Sequence, residues 1–279
     1  MIVDAHQHFW ALERGDYAWL TPQLGVLHRD YGPDDLLPLL AAHGVDATVL
    51  VQAAPTEAET YFLFDLAKHH AFVAGVVGWT DFAAPEAAER IAMLVAAGAG
   101  KLKGLRPMIQ DIADPAWLLR DDLDAAFAAL TAHDLAFDAL IKPAQMLPLL
   151  ARLRRHQDLR AVIDHAGKPD IAYGGFDAWA QGIAQLAGES GAYCKLSGLL
   201  TEAGDKTSFD DIAPYVAHVF DCFGAQRVIW GSDWPVLNLA GDYAHWLDLA
   251  RALVRGLAHG QEDSVFAGNA RRFYRLAAA

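Results

Sequence analysis

The chain has 279 residues, of which 54% are hydrophobic and 20% charged, and this composition fits an α/β protein with a large core and strands buried on both faces. Lysine and arginine number 22 against 35 aspartates and glutamates, and the net charge of −13 excludes nucleic acid and anionic membranes as favoured partners. Neither a secretory leader nor a membrane-spanning run is present, and the isolated Cys194 and Cys222 offer no disulfide framework or thiolate metal site, so we expect a soluble cytoplasmic protein.

Eight short apolar runs of strand length recur along the chain, separated by alanine- and leucine-rich stretches with helical spacing. The runs cover residues 2–6, 47–52, 72–79, 102–105, 136–140, 161–165, 192–196 and 227–230. This alternation predicts βα units around a parallel sheet. Because no segment has the composition of a linker, we expect one α/β domain over residues 1–279, folded as a closed (β/α)8 TIM barrel.

Helix start and stop signals support this division of the chain. Pro33 leads one acidic first turn, and Thr56 and Ser208 each begin a stretch with capping-box spacing. Three glycines follow predicted helices at positions where left-handed C-caps are expected: Gly44, Gly98 and Gly224.

The one long insertion, residues 9–32, follows the first strand directly and is rich in aromatic residues. Long loops at strand ends commonly form binding sites, so we expect this loop to build one wall of a pocket. Candidate substrate contacts within it are Trp10, Tyr17 and His28, and Trp234 after the last strand is a further candidate wall for a sugar ring.

Polar residues stand where the apolar strands end, which is the side on which barrel enzymes place their chemistry. His6 and His8 form a His-x-His motif whose side chains share one face of an extended strand, and neutral imidazoles suit zinc and similar metals. Other segments supply possible partners at the ends of strands 4, 6, 7 and 8: Lys103, Arg106, His165, Ser197 and Asp233. In a barrel these residues converge on one site.

Five motifs in order resemble the amidohydrolase superfamily, and within it the sugar-lactone and pyrone-lactone hydrolases, most closely the L-fuconolactonases and L-rhamnonolactonases. The motifs are Asp-Ala-His-Gln-His at 4–8, Lys-Gly-Leu-Arg-Pro at 103–107, Asp-His-Ala-Gly-Lys-Pro at 164–169, Lys-Leu-Ser-Gly at 195–198 and Trp-Gly-Ser-Asp-Trp-Pro at 230–235. The likeness covers nearly the whole chain.

The resemblance implies that His6, His8, His165 and Asp233 provide one metal position, with zinc as the expected ion. Binuclear members also use a histidine from strand 5, which here ends in Phe-Asp-Ala-Leu at 137–140, so a two-metal site is not expected. Some lactonases of this branch work without any ion, and the need for metal stays open.

We therefore expect hydrolysis of a sugar lactone, with Asp233 activating water and with His165 and Arg106 assisting catalysis. Arg106 and Lys103 are also the expected contacts to substrate oxygens. A single arginine at strand 4 favours a neutral polyhydroxy lactone over a dicarboxylated pyrone.

Several alternatives remain at this point. The same residues suit a nonoxidative decarboxylase of the superfamily, a pyrone or muconolactone hydrolase, or a noncatalytic sugar-acid sensor. Individually, His165 can be a core histidine, Lys103 and Arg106 can form buried ion pairs, and Asp233 can cap a turn. Asp164 is expected on the opposite face in a structural role, and Glu202 is not included in the site.

Overall fold

A computed structural model describes residues 1–277 and contains one eight-stranded parallel sheet in which the strands neighbour one another in chain order. The strands are β1 (Val3–Gln7), β2 (Ala47–Val51), β3 (Val73–Gly78), β4 (Leu102–Leu105), β5 (Ala136–Ala139), β6 (Ala161–Ile163), β7 (Tyr193–Leu196) and β8 (Val228–Trp230). The amide of His8 donates to the carbonyl of Trp234 at 2.8 Å, and this bond joins the first strand to the segment after the last. The predicted (β/α)8 barrel is confirmed.

Helices follow the strands around the barrel. They are α1 (Pro33–His43), α2 (Glu57–His69), α3 (Ala87–Ala97), α4 (Asp124–Ala132), α5 (Met146–Arg155), α6 (Phe176–Glu189), α7 (Phe209–Phe223), α8 (Tyr243–Leu257) and α9 (Asn269–Tyr274). Within residues 1–277 no helix has both the length and the apolar character that crossing a membrane requires.

The predicted helix starts are confirmed, whereas one of the three predicted left-handed C-caps is. The Thr56 hydroxyl accepts the amide of Glu59, and Ser208 and Asp211 form a reciprocal capping box at the start of α7. Gly44 adopts the left-handed conformation at φ 67°. The prediction is wrong for Gly98, whose φ is −70° because α3 ends in a right-handed turn. It is also wrong for Gly224, whose φ of 63° is combined with a ψ of 162°, outside the left-handed helical region.

The base of the barrel is filled by small apolar side chains and closed by the C-terminal helix. Val3, Ala5 and Val49 from the strands pack with Phe273 and Tyr274 of α9 in one buried cluster. The open end of the barrel therefore lies at the carboxyl ends of the strands, where the loops gather.

Candidate active site

The two histidines of β1 are aimed into the barrel by an irregularity in the strand. Pairing with β2 shifts register between Asp4 and Gln7, so Asp4 and His6 do not share a face although they are two residues apart. The Asp4 carboxylate accepts the hydroxyl of Tyr243 in α8, whereas the ring of His6 lies 4.9 Å from that of His8, between centroids. His8 donates from Nδ1 to the carbonyl of Val51 at 2.8 Å, which fixes its ring.

A left-handed turn follows β6 and carries the third histidine. Residues 165–168 all have positive φ, between 50° and 69°. Side chains in this conformation cost roughly 1–2 kcal/mol each, and such strain is typical of functional sites. The turn is held by the amide of Lys168 on the carbonyl of His165 and by the Trp179 indole on the carbonyl of Ala166. Strand β6 therefore ends at Ile163, two residues before the predicted end.

Asp233 brings the three imidazoles together. Its backbone is also left-handed, with φ 60°, and its amide donates to the carbonyl of His6 at 2.7 Å. Its Oδ1 lies 3.3 Å from His8 Nε2, 3.7 Å from His6 Nε2 and 3.9 Å from His165 Nε2. All four side chains are at least 95% buried. They therefore form one desolvated cluster, although His6 and Asp233 are 227 residues apart along the sequence.

The site holds an ionised carboxylate, that of Asp233, beside the neutral imidazoles of His6 and His165 at neutral pH. Burial raises the pKa of Asp233, but the surrounding imidazoles, led by His165, outweigh it and keep the pKa of this carboxyl well below its usual range. Burial lowers the pKa of His165 to about 4. Burial and the positive charge of Lys195 keep the pKa of His6 well below the usual range for histidine. Asp233 is therefore the proton acceptor of the cluster.

Arg106 supplies a fixed positive charge beside the histidines. Its Nη2 donates to the backbone carbonyl of Gln52 and to that residue's Oε1, the latter at 3.1 Å. Its Nη1 lies 3.2 Å from His6 Nε2 and 3.4 Å from Asp164 Oδ2. The predicted ion pair of Arg106 with a buried acid therefore exists, and it lies within the site.

A buried network underneath the site was missed by the sequence reasoning. Lys195 of β7 places Nζ 2.6 Å from Asp138 Oδ2, 2.9 Å from Asp164 Oδ1 and 3.0 Å from His6 Nδ1, and Tyr274 donates to Asp138 at 2.6 Å. Burial raises the pKa of Asp138, whereas the charge of Lys195 overcomes burial and keeps the pKa of Asp164 well below its usual range. The signal was a charged residue within two apolar strands, Asp138 in β5 and Lys195 in β7, and another directly after a third, Asp164 after β6.

The expectation that Asp164 points to the opposite face is wrong. Its carboxylate lies inside the barrel, because the chain leaves the extended conformation directly after Ile163, so strand alternation no longer applies at this position.

The cluster opens into a cavity of about 380 Å³ at the carboxyl ends of the strands. Among the predicted residues, His8, Arg106, His165 and Asp233 line it. The aromatic side chain on its wall is Trp19, whose indole donates to the carbonyl of Ala53 at 2.7 Å.

Four predicted substrate contacts from aromatic or loop residues do not line the cavity. Trp10 is buried with its indole on the carbonyl of Arg29, and the buried ring of Tyr17 lies 6.5 Å from it, between centroids. Trp234 is buried against Tyr31, with 5.2 Å between the ring centroids. The ring of Trp10 packs edge-to-face on Trp19, with 5.5 Å between centroids, so it supports the cavity wall from behind. His28 is exposed at the end of a 3₁₀ turn.

Lys103 is also misplaced by the sequence analysis. Its ammonium lies 3.4 Å from the carbonyl of Arg275, beside the C-terminal helix at the closed end of the barrel. Lys103 and Arg106 are three residues apart, and the strand ends between them at Leu105, so the two side chains reach opposite ends of the barrel.

The donor set fits one metal ion. His8 Nδ1 donates to the carbonyl of Val51, so in a neutral His8 ring the lone pair is on Nε2 and points toward the carboxylate of Asp233. Two hydrogen-bond acceptors 3.3 Å apart need a proton or a cation between them. One ligand atom from each of His6, His165 and Asp233 lies within 4.8 Å of the others, and imidazole with carboxylate is a donor set that zinc takes. In strand 5, Asp138 binds the Lys195 ammonium.

Comparisons of the sequence and of the structure with known proteins all point to the amidohydrolase family. The sequence profile of the amidohydrolase family matches residues 3–276. An L-fucono-1,5-lactonase of Burkholderia ambifaria is 48% identical over 278 residues, covering 98% of this chain and 95% of that protein. Another L-fucono-1,5-lactonase, from Burkholderia multivorans, is 38% identical over 288 residues, covering 98% and 96%. A crystal structure of an amidohydrolase from Burkholderia multivorans with bound zinc superposes with a TM-score of 0.92 at 36% identity, covering 99% of this chain and 100% of that one.

Proposed function

The chain belongs to the amidohydrolase family, and from that premise we propose that it is a lactonase, a carboxylic ester hydrolase that opens a sugar lactone of the L-fucono-1,5-lactone type to the free sugar acid. The observation that carries this proposal is the ionised carboxylate of Asp233, which lies within 4 Å of three imidazoles on the wall of a cavity large enough for a small ring. Relatives with this activity match over nearly their whole length.

Asp233 acts as the general base. Its carboxylate accepts a proton from water while the water oxygen attacks the lactone carbonyl carbon, and general-base assistance contributes about 10²- to 10⁴-fold in rate. The Arg106 guanidinium donates to the carbonyl oxygen as that oxygen gains negative charge. When the ester C–O bond breaks, Asp233 returns the proton to the ring oxygen. The acid formed ionises at neutral pH and releases one proton.

A single zinc ion fits the histidines and Asp233 best. His6, His165 and Asp233 would hold it, with His8 beside them. When bound, such an ion polarises the carbonyl oxygen and lowers the pKa of water. The proton transfers assigned to Asp233 and the hydrogen bond from Arg106 use groups of the chain alone.

The charges around the cavity favour a neutral substrate. Arg106 and Lys168 are the cations on its wall, and they are accompanied by the acids Asp111, Glu202 and Asp233. A dicarboxylated pyrone requires an excess of positive charge, which this wall does not provide. The hydroxyl groups of a neutral polyhydroxy lactone find both hydrogen-bond donors and hydrogen-bond acceptors on this wall.

A panel of aldonolactones followed with a pH indicator tests the proposal, with chelator-treated and zinc-supplemented protein compared. We expect proton release from L-fucono-1,5-lactone without carbon dioxide. Carbon dioxide from an aromatic acid, with no lactone opened, would establish a decarboxylase instead. Preferred hydrolysis of a dicarboxylated pyrone would contradict the neutral substrate. The place of the enzyme in carbohydrate catabolism and its cytoplasmic location stay predictions.

A further inference from the structure

An ion pair on the cavity wall takes no part in the hydrolytic steps. Lys168 Nζ lies 2.6 Å from Glu202 Oε1, and both side chains line the cavity with 19% and 24% of their surface exposed. We propose that this pair binds substrate hydroxyl groups and makes the enzyme select polyhydroxylated lactones over unsubstituted lactones of the same ring size. This inference rests on the proposed function and deepens it.

The backbone places Lys168 in the cavity at a conformational cost. Lys168 has φ 52° and ends the left-handed turn that begins with His165. Glycine is the residue that normally fills such a position, and a long charged side chain is not needed to close the turn. The same turn therefore positions the imidazole beside Asp233 and the ammonium at the substrate wall.

The second partner comes from the neighbouring strand's loop. Glu202 ends a 3₁₀ turn after β7, and its carbonyl accepts the amide of Ala172 at 3.1 Å, which ties this loop to the loop after β6. Thr201 beside it also lines the cavity. Both ends of the ion pair are thus anchored by backbone contacts on adjacent loops.

The chemistry of the pair matches a diol. Within residues 1–277, the Lys168 ammonium and the Glu202 carboxylate contact each other and no other charged group. Protons of the ammonium and one carboxylate oxygen therefore remain for a ligand. An ammonium donates to a hydroxyl oxygen, and a carboxylate accepts from a hydroxyl proton. Since the two charges cancel, the pair suits neutral hydroxyl groups better than an anion.

Trp19 completes the arrangement from across the barrel. Its indole is fixed on the carbonyl of Ala53 after β2, and in an eight-stranded barrel in chain order β2 and β3 lie opposite β6 and β7. An aromatic face packs against the C–H face of a sugar ring. A lactone ring between these walls contacts indole on one side and the ion pair on the other.

Two variants test the proposal, Lys168→Met and Glu202→Gln, with L-fucono-1,5-lactone and δ-valerolactone as substrates. The second lactone has the same ring and no hydroxyl groups. We expect the ratio of kcat/KM for the sugar lactone to that for δ-valerolactone to fall at least tenfold in each variant, mainly through KM for the sugar lactone. If δ-valerolactone turns over too slowly, its inhibition constant against the sugar lactone replaces its kcat/KM.

The matched control is Glu189→Gln, which breaks an ion pair with Arg154 on the outer surface and is expected to leave both activities unchanged. A ratio within threefold of the wild-type value in both variants overturns the inference, whether both activities fall together or neither falls. A wild-type enzyme that opens no lactone removes the proposed function, and this inference with it, before any variant is made.

Discussion

The imidazole of His165 is held in place by a close backbone approach from β7. A Cβ atom added to Gly198 would lie 2.4 Å from His165 Nδ1, and Gly198 has φ 64°. The Ser197 hydroxyl lies 2.9 Å from the same nitrogen. A glycine is therefore required at this point both by its conformation and by the space left for the ring.

Gly198→Ala is expected to displace His165 and to lower kcat for lactone hydrolysis at least tenfold. Its control is Gly44→Ala, which has the same left-handed strain at φ 67° but open space around the added Cβ. Both variants should lose about 1 kcal/mol of stability from that strain. Steady-state kinetics and urea denaturation measure the two effects. Equal kcat in the two variants would contradict the role given to Gly198.

The polar site residues at the ends of apolar strands were predictable from the sequence. Burying a polar side chain costs free energy unless the side chain has a partner, so polar residues at these positions indicate a site. This argument found His6, His8, His165 and Asp233, which the structure brings together. It failed for Lys103, because this residue is the second of β4 and lies near the amino end of the strand, which faces the closed end of the barrel. Trp10, Tyr17, Trp234 and His28 failed for another reason: aromatic residues of a long loop form its own core as readily as a pocket wall.

Helix α2 carries a buried acid that binds the segment after β2, beside the cavity. Glu59 in the first turn of α2 accepts the amides of Ala53 and Ala54, which follow β2, and Ala53 forms part of the cavity wall. Burial raises the pKa of Glu59 to about 7 in spite of these hydrogen bonds. The folded state therefore keeps a proton that the unfolded state loses between pH 4.5 and 7.

This linkage predicts that the Glu59 contribution to stability falls as pH rises from 4.5 toward 7, by up to about 1.4 kcal/mol per pH unit, and stays constant above 7. Glu59→Gln removes the titrating group. The difference in the free energy of unfolding, wild type minus variant, should therefore be smaller at pH 8 than at pH 5. Urea denaturation at both values measures it, and an equal difference at the two pH values would contradict the assignment.

At the level of elements, the sequence predicted the strands to within two residues, because each apolar run is bounded by polar residues. Two features of single elements were not predictable. The register shift in β1 and the left-handed turn after β6 depend on tertiary contacts, namely the partners of Asp4 and the Trp179 bond to Ala166.

The molecule as a whole is closed at its base by α9 and open at the other end. Tyr274 of α9 reaches through the barrel base to Asp138, which in turn binds Lys195 and through it His6. The C-terminal helix is thus connected to the active site by a chain of buried hydrogen bonds.

Tyr274→Phe removes the hydroxyl that donates to Asp138. The substitution should lower the free energy of unfolding by about 1–3 kcal/mol, because the buried carboxylate of Asp138 loses a hydrogen-bond donor. The catalytic groups keep their own contacts, so kcat is expected to stay within about threefold. Tyr193→Phe, whose ring packs on Phe273, is the control. Chemical denaturation compares the two, and a loss no larger than that of the control would contradict the structural role.

The overall fold was predictable because eight strand and helix alternations without a linker leave few arrangements other than a barrel. The buried network of Asp138, Asp164 and Lys195 was not, since three charged residues in or directly after apolar strands balance one another only when the barrel brings them together. The same holds for the Lys168 and Glu202 pair, which forms between loops that are distant in sequence.

The most direct test of the account is the activity of Asp233→Asn toward L-fucono-1,5-lactone. Asparagine tolerates the left-handed backbone at this position, so the variant should fold, while the loss of a proton acceptor should lower kcat by about 10²- to 10⁴-fold. Proton release measured with an indicator, alongside the thermal unfolding of both proteins, gives the answer. A folded variant that keeps more than a tenth of wild-type kcat would contradict the central role of Asp233.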